Sequence, residues 1–239
     1  MTTQESTSRA DAPCDRSALS QIVAIDGPAG AGKSSVSREV AKRLGMAFLD
    51  SGAMYRAATW WAMHQGVDMD DPEALAHSTE ALPLEMITEG PTLRVLVDGN
   101  DVSEEIRTPE VSLNIRHLAG VQSVRTPLVK LQQAFAARRP TVAEGRDMGT
   151  VVFPNARCKI YLDASIDERT RRRAEQQDEQ GIPYDLEALR AEIQDRDHVD
   201  MNRELDPLRE AEDAIRLDTS SLSLDQVVEK IVHLAKAVL

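Results

Sequence analysis

The stretch IVAIDGPAGAGKSS, from Ile22 to Ser35, determines the predicted fold of this chain. It opens on the apolar run Ile22–Ile25, which is typical of a buried strand, and passes through a glycine-rich turn into a helical pattern. Residues Gly27–Ser34 match the pattern G-x-x-x-x-G-K-[ST]. The stretch therefore predicts a phosphate-binding loop between a strand and a helix.

Each residue type in this loop has a physical role in holding phosphate. Glycines let successive backbone N–H groups turn inward, and the following helix points its positive end at the anion. Lys33 would reach the outer phosphates, and the hydroxyl of Ser34 would suit Mg²⁺. We expect a nucleoside triphosphate to be bound here by Gly27, Pro28, Ala29, Gly30, Ala31, Gly32, Lys33, Ser34 and Ser35.

Composition narrows the class of protein. The chain has 239 residues and a net charge of −12, which argues against a general nucleic-acid surface. It has no apolar run long enough to span a membrane, and its polar N-terminus does not look like a secretory signal. Two isolated cysteines, Cys14 and Cys158, fit a reducing compartment without a disulfide. We expect a cytoplasmic monomer that acts on small molecules, with a disordered tail over residues 1–19.

Near-continuous apolar runs alternate with helical patterns along the chain. Such runs are typical of parallel strands that are buried on both faces. We therefore predict an α/β fold with a five-stranded, doubly wound parallel sheet, whose ligands lie beyond the carboxyl ends of the strands. The runs are Gln21–Ile25, Met46–Leu49, Thr141–Ala143, Cys158–Leu162 and Ala214–Leu217.

Two helices are the clearest of those between the strands. Residues Val121–Arg139 form a helical pattern that Pro140 stops. The last helix carries an apolar stripe that should face the core. Its members are Leu224, Val227, Val228, Ile231, Leu234 and Val238.

Two segments interrupt this alternation. Residues 67–107 contain the strand candidates Leu84–Ile87 and Leu93–Val97, with turn residues after each, and predict a small antiparallel insert. Residues 170–185 are charged and polar, with a break at Gly181-Ile182-Pro183, and predict a second excursion from the sheet. The remaining core would comprise residues 20–66 and 108–239.

Polar residues follow the second and third predicted strands. Ser51 and Arg56 come after the second strand, and Arg146 and Asp147 come after the third, between two glycines. Ser51 could cap the next helix, Arg56 could form a surface salt bridge, and the third segment could be an ordinary polar loop. Because the carboxyl ends of parallel strands share one edge of a sheet, all four are candidates for ligand binding.

Two carboxylates compete for the task of positioning Mg²⁺ through water. Glu144 closes the third strand, and Asp163 closes the fourth. A carboxylate at either position would lie at the same edge as the phosphate-binding loop.

Arginines in the second half of the chain form two helical groups. A solvated helix face or an i,i+4 salt bridge could explain either group locally. Together with a phosphate-binding loop, however, they suggest two phosphate-bearing ligands and hence phosphoryl transfer. In that reaction the protein mainly positions the ligands and neutralises the charge on the transferred group. The first group is Arg169, Arg171, Arg172 and Arg173, and the second is Arg196 and Arg203, with Asp200 on the same helical face.

The sequence resembles the bacterial cytidylate kinases from about Ile22 to its C-terminus. The resemblance lies in the segments AIDGPAGAGKSS, LDSGAMYR, DVSEEIRTPEV, GRDMGTVVFP, YLDAS and RDHVDMNR, in this order. It implies ATP-dependent phosphorylation of CMP, and of dCMP, with Mg²⁺. It also implies a mobile acceptor region with a three-stranded insert, which matches residues 67–107, and a short helical lid over the donor, which matches residues 170–185.

The resemblance assigns roles to individual residues. Arg56, Arg146 and Arg203 would hold the phosphate of CMP, and Arg196 would reach the transferred group. It implies that Asp200 accepts hydrogen bonds from the ribose hydroxyls and that Asp147 helps to recognise the base. Arg125 would lie near the base, and Lys33, Arg146, Arg196 and Arg203 would be catalytic. The cytidylate would be surrounded by Ser51, Arg56, Arg125, Arg146, Asp147, Arg196, Asp200 and Arg203, and Arg169, Arg172 and Arg173 would belong to the lid.

One position departs from the family pattern. Where the family has a serine against the pyrimidine, this chain has Arg116, or with a shifted alignment Ser112 or Ser123. A kinase for UMP or another small anionic acceptor is the nearest alternative. A regulatory nucleotide switch is a different class, and the missing N-K-x-D motif argues against it.

Overall fold

The protein is described by a computed structural model that covers residues 21–89 and 92–239, so the predicted tail and Cys14 lie outside it. Its strands are β1 Ile22–Asp26, β2 Ala47–Asp50, β3 Leu84–Glu89, β4 Thr92–Val97, β5 Asn100–Asp101, β6 Thr141–Gly145, β7 Cys158–Asp163 and β8 Ile215–Asp218. Its α-helices are α1 Lys33–Leu44, α2 Ser51–His64, α3 Pro72–Glu80, α4 Pro109–Ala119, α5 Gln122–Ala136, α6 Ile166–Gln180, α7 Leu186–Asn202 and α8 Leu224–Val238.

The predicted doubly wound sheet is confirmed. Its five strands are parallel and follow the order β2-β6-β1-β7-β8. The strands run one or two residues further than the apolar runs, so that β1 ends on Asp26 and β2 on Asp50. In the register of the sheet, Asp50 lies beside Glu144, and Asp26 lies beside Gly145. Acidic side chains therefore gather at the carboxyl edge where ligands of such sheets bind.

Alternate residues of β1 serve two separate layers of the core. Val23 and Ile25 pack with the face of α8 that carries Val228 and Ile231, whereas Ile22 and Ala24 pack in a cluster on the other face of the sheet. All residues of β1 are buried, as the apolar run predicts. The stripe on α8 is confirmed from Val227 onward, but Leu224 at the start of the helix is exposed.

The antiparallel insert is also confirmed. Strands β3, β4 and β5 form a separate three-stranded antiparallel sheet, in which Leu84 pairs with Val97. Val95 and Val97 are buried in one cluster with Leu75 of α3 and Ala57 of α2. The insert is thereby packed on the helix that follows β2, next to the carboxyl edge of the main sheet.

The predicted lid segment is mostly helical. Residues 170–185 comprise the later turns of α6 and the connection to α7, and Gly181 ends α6 with a φ of 66°. Helices α6 and α7 pack against each other beside the phosphate-binding loop. Within the described residues, no helix is both long enough and apolar enough to cross a membrane.

Candidate active site

The phosphate-binding loop joins β1 to α1 at the centre of the sheet. Gly27 has a φ of 150°, and a Cβ at this position would lie 2.1 Å from the carbonyl oxygen of Leu162, so only glycine fits. The Lys33 ammonium donates to the carbonyl oxygens of Gly27 and Pro28, both at 2.7 Å. Burial, and next the positive charge of Arg146, lower the pKa of Lys33 well below its usual value. An anionic ligand in the loop would offset this unfavourable charge.

Two of the predicted lid arginines contact the carbonyls of the loop. Arg169 donates to the carbonyl oxygens of Ala29 and Ala164, each at 3.1 Å. Arg172 donates to the carbonyl oxygen of Ala31 at 3.3 Å. Arg173 lies further out and donates to the side chain of Gln176 at 2.9 Å. The structure thus brings Arg169 and Arg172 to the donor loop, whereas Arg173 does not contact it.

The carboxylate of Asp197 connects the lid to the same loop. It accepts the backbone N–H of Ala29 at 3.2 Å and pairs with the guanidinium of Arg169. Both side chains are largely buried. The N-terminal half of the loop is therefore held by α6 and α7 as well as by the sheet.

The end of β2 positions Arg56. Its guanidinium pairs with Asp50 at 3.1 Å, and Asp50 also accepts the backbone N–H of Ala53 at 2.8 Å. The N-cap of α2 is therefore Asp50, and the prediction that Ser51 caps this helix is wrong. Because Asp50 ends the strand and starts the helix, Ser51 is already the first helical residue. Ser51 is instead buried against the end of β6, where a Cβ on Gly145 would lie 2.6 Å from its hydroxyl oxygen.

Arg146, Asp200 and Arg196 form the centre of the arginine cluster. Arg146 donates to the carboxylate of Asp200 at 2.7 Å, which joins the loop after β6 to the end of α7. The Arg196 side chain is exposed, although dense surrounding protein, and next the charge of Arg146, lower its pKa to about 10. Arg196 stays protonated at neutral pH and remains accessible to a ligand. Its charge, like that of Arg146, also acts on Lys33.

A second cluster surrounds Arg125, which is among the most deeply buried side chains of the protein. Its guanidinium pairs with Asp147 and with Asp206, the latter at 2.8 Å, and lies 5.7 Å from the ring centroid of Tyr55. Arg203 lies 3.6 Å from Asp147. This arrangement places a buried carboxylate between two guanidinium groups. We name the group formed by Arg125, Asp147, Arg203 and Asp206 the base-side cluster, after the role that the resemblance implies for Arg125 and Asp147.

Glu144 fits a divalent cation better than Asp163 does. Both oxygens of the buried Glu144 carboxylate lack a hydrogen-bond partner, and burial, followed by the charge of Asp50, raises its pKa to about 7. The hydroxyl of Ser34 acts in the opposite direction and lowers the pKa of Glu144, but its position does not meet the geometry of a hydrogen bond to the carboxylate. Asp163 accepts the N–H of Ala164 at 2.9 Å and pairs with Arg216. A carboxylate and a hydroxyl suffice for Mg²⁺, which keeps several waters and takes further oxygens from phosphates.

The family departure lies outside these clusters. Arg116 on α4 is exposed, as are Ser112 on the same helix and Ser123 at the start of α5. Arg125, which follows on α5, is the residue that points into the interior. The base-side cluster is thus built around Arg125 and not around Arg116.

Three carboxylates of the site escaped the sequence analysis: Asp26, Asp197 and Asp206. Asp26 precedes the loop and Asp197 follows Arg196 in the RDHVDMNR segment, so proximity to recognised motifs could have identified both. Asp206, beside Pro207, carried no comparable signal.

Comparisons with known proteins identify the family of this chain. The family model described as "Cytidylate kinase" matches residues 23–237. A cytidylate kinase of Vibrio vulnificus (strain CMCP6) is 44% identical over 217 residues, which cover 91% of this chain and 96% of that protein. A cytidylate kinase of Vibrio cholerae is 45% identical over 212 residues, which cover 89% and 94%.

The same similarity extends to a fused protein. A bifunctional pantoate ligase/cytidylate kinase of Prochlorococcus marinus (strain MIT 9303) is 48% identical over 216 residues, which cover 89% of this chain and 44% of that protein. Taken with the family match across nearly all described residues, these similarities settle the relationship. The chain belongs to the cytidylate kinase family.

Proposed function

We propose that this protein transfers the γ-phosphoryl group of ATP to CMP, and also to dCMP, giving ADP and the diphosphate. The observation that carries the proposal is the meeting of two sites at one sheet edge. Arg146 follows β6, which lies beside β1 in the parallel sheet, so Arg146 and the phosphate-binding loop with Lys33 lie at the same carboxyl edge. A donor phosphate and an acceptor phosphate bound at these groups would be neighbours.

The donor site is the phosphate-binding loop with Lys33. The family is one of kinases, which supports ATP as the donor. Mg²⁺ would be held by Ser34 and, through water, by Glu144, and when bound it neutralises charge on the β- and γ-phosphates. Arg169 and Arg172, which already contact the carbonyls of the loop, would cover the donor.

The acceptor site is the arginine cluster formed by residues after β2, after β6 and at the end of α7. The guanidinium groups of Arg56, Arg146 and Arg203 can each donate two hydrogen bonds to a phosphate, and they suit the phosphate of CMP. Asp200 would accept hydrogen bonds from the ribose hydroxyls, and buried Ser51 would also contact the cytidylate. Asp147 would accept the amino group of cytosine with Arg125 behind it.

The reaction requires no nucleophile from the protein. A phosphate oxygen of CMP, which is largely a dianion at neutral pH, attacks the γ-phosphorus. The new P–O bond forms as the bond from the γ-phosphorus to the bridging oxygen of ADP breaks, and ADP leaves with that electron pair. Lys33 of the donor loop and Arg196 of α7 would neutralise the transferred group during this exchange, because fixed cations stabilise the charge that develops on it.

A single chain supplies both sites, which supports a monomer that acts on small nucleotides. The net charge of −12 disfavours a nucleic-acid partner. The buried Cys158 has no disulfide partner among the described residues, which is compatible with the cytoplasm.

The test is a coupled assay for ADP production with CMP, dCMP, UMP and AMP under one set of conditions. Asp147 is acceptor-only when ionised, so CMP should exceed UMP in kcat/KM by roughly 10⁴-fold, since such a site rejects the wrong hydrogen-bonding partner. Asp147→Asn should narrow this gap, because its amide can donate to uracil. AMP as the best acceptor would overturn the proposal.

A further inference from the structure

Asp206 bridges the two arginines of the base-side cluster through different atoms. Its carboxylate accepts the Nε–H of Arg125 at 2.8 Å, and its backbone carbonyl accepts the Nε–H of Arg203 at 2.7 Å. The backbone N–H of Leu208 donates to the carbonyl oxygen of Asp200 at 2.7 Å, which closes this segment back onto α7. Hydrogen bonds of Asp206 and Leu208 therefore hold the segment after α7 against the two arginines and against α7 itself.

The backbone of Asp206 is strained at this position. Its φ is +46°, and within residues 21–89 and 92–239 the other non-glycine residue with a positive φ is Asp98, in the exposed turn between β4 and β5. Such a conformation costs free energy and persists where surrounding contacts enforce it, often at a binding site. The Asp206 contacts to Arg125 and Arg203 are the ones that enforce it here.

The charges of the cluster balance only if Asp206 is counted. Arg125 and Arg203 carry two positive charges, and Asp147 alone would be shared between them. The side chain of Arg125 is 2% exposed, so water cannot replace a missing partner. Because the carboxylate of Asp206 accepts the Nε–H of Arg125, the carboxylate of Asp147 can still accept a hydrogen bond from another donor.

We propose that Asp206 is a positioning residue that sets the base preference of the acceptor site. This inference rests on the proposed function, in which Asp147 accepts the amino group of cytosine. Without the Asp206 carboxylate, the guanidinium of Arg125 interacts more strongly with Asp147, and its Nε–H has an unused capacity to donate a hydrogen bond. Both changes weaken the recognition of an amino group, and an unused N–H suits the carbonyl oxygen of uracil instead.

The experiment compares Asp206→Gly and Asp206→Asn with the wild-type full chain. Glycine removes the carboxylate and tolerates positive φ, whereas asparagine tolerates the same φ and keeps one neutral acceptor for Arg125. Asp98→Gly is the matched control, because it relieves a positive φ in the exposed turn between β4 and β5, which carries none of the arginines of the cluster. The measurements are kcat/KM for CMP and for UMP, with the melting temperature of each variant.

Asp206→Gly should lower the CMP to UMP ratio of kcat/KM by about tenfold or more, as expected for loss of a hydrogen bond between charged groups. Asp206→Asn should lower the ratio less, and Asp98→Gly should not change it. If both Asp206 variants lose activity equally toward CMP and UMP, so that the ratio stays at the wild-type value, the inference is overturned. If Asp206→Gly does not fold, the ratio of Asp206→Asn decides. A wild-type protein that does not phosphorylate CMP overturns the proposed function itself, which is a separate result.

Discussion

The carboxylate of Asp26, at the end of β1, accepts the backbone N–H of Gly149, which follows the neighbouring strand β6, at 2.7 Å. Its other oxygen accepts the N–H of Met148 at 2.8 Å. These bonds cap a short π-helix, Met148–Val152, that begins directly after Arg146 and Asp147. The residue that precedes the phosphate-binding loop therefore also positions the loop that carries Arg146 and Asp147.

Asp26→Asn should change the pH dependence of stability. Burial, with a smaller contribution from the charge of Asp147, raises the pKa of Asp26 from 3.8 to about 6. Because the folded-state pKa is the higher one, Asp26 contributes most to stability below pH 3.8 and loses that contribution as the pH rises through 6. Asparagine has no such titration. Relative to wild type, the variant should therefore gain about 2 kcal/mol of unfolding free energy between pH 4.5 and pH 7.5.

Urea unfolding of the nucleotide-free protein at both pH values measures this difference. Asp68→Asn, at an exposed turn, is the control and should track the wild type. An Asp26→Asn variant whose stability relative to wild type is independent of pH would contradict a raised pKa at Asp26.

Lys33→Ala should lower kcat by roughly 10²-fold or more while the protein stays folded, because the ammonium stabilises charge that develops in the transition state. Lys33 is buried, and its ammonium contacts only loop carbonyls of Gly27 and Pro28 among the described hydrogen bonds. The melting temperature and steady-state kinetics should be measured together. Lys42→Ala, on the exposed face of the same helix, is the control. Near-normal turnover of a folded Lys33→Ala variant would contradict the donor-site assignment.

Arg196→Met should lower kcat by roughly 10²-fold and change the KM for CMP much less. The reason is that Arg196 is exposed beside Lys33 and Arg146, where a transferred group would pass, and not within the buried base-side cluster. Steady-state kinetics with CMP varied at saturating ATP separates the two constants. Arg190→Met, on the same helix but paired with Asp167, is the control. A large rise in KM at unchanged kcat would make Arg196 a ground-state binding residue.

Residues 67–107 and 170–185 should exchange their amide hydrogens more slowly when both ligands are bound. Phosphoryl transfer must exclude water, so both segments are expected to close over the site. Hydrogen exchange measured with CMP and a non-hydrolysable ATP analogue, together and singly, tests this expectation. The buried face of α8 is the internal reference and should not change. Exchange that is unaffected in both segments would count against two closing regions.

Local sequence patterns predicted most of the fold. Five apolar runs predicted the strands of the main sheet to within two residues, and the turn at Asp98-Gly99-Asn100 predicted the antiparallel insert. The error at Ser51 has a local cause: the apolar run ends at Leu49, whereas the strand continues to Asp50, which is also the N-cap of α2. Boundaries shared by two elements are ambiguous in sequence, since one residue then belongs to both patterns.

The phosphate-binding loop, the parallel sheet and the arginines available to a phosphate-rich site could be read from the chain alone, because they depend on periodicity and on motifs within a few residues. Which carboxylate meets which arginine depends on how distant segments pack. Asp197 reaches the loop across 168 positions of the chain, and Asp206 reaches Arg125 across 81. Such pairings follow from the order of strands in the sheet and from burial, which makes an unpaired charge costly, and neither property is visible in the spacing of residues along the chain.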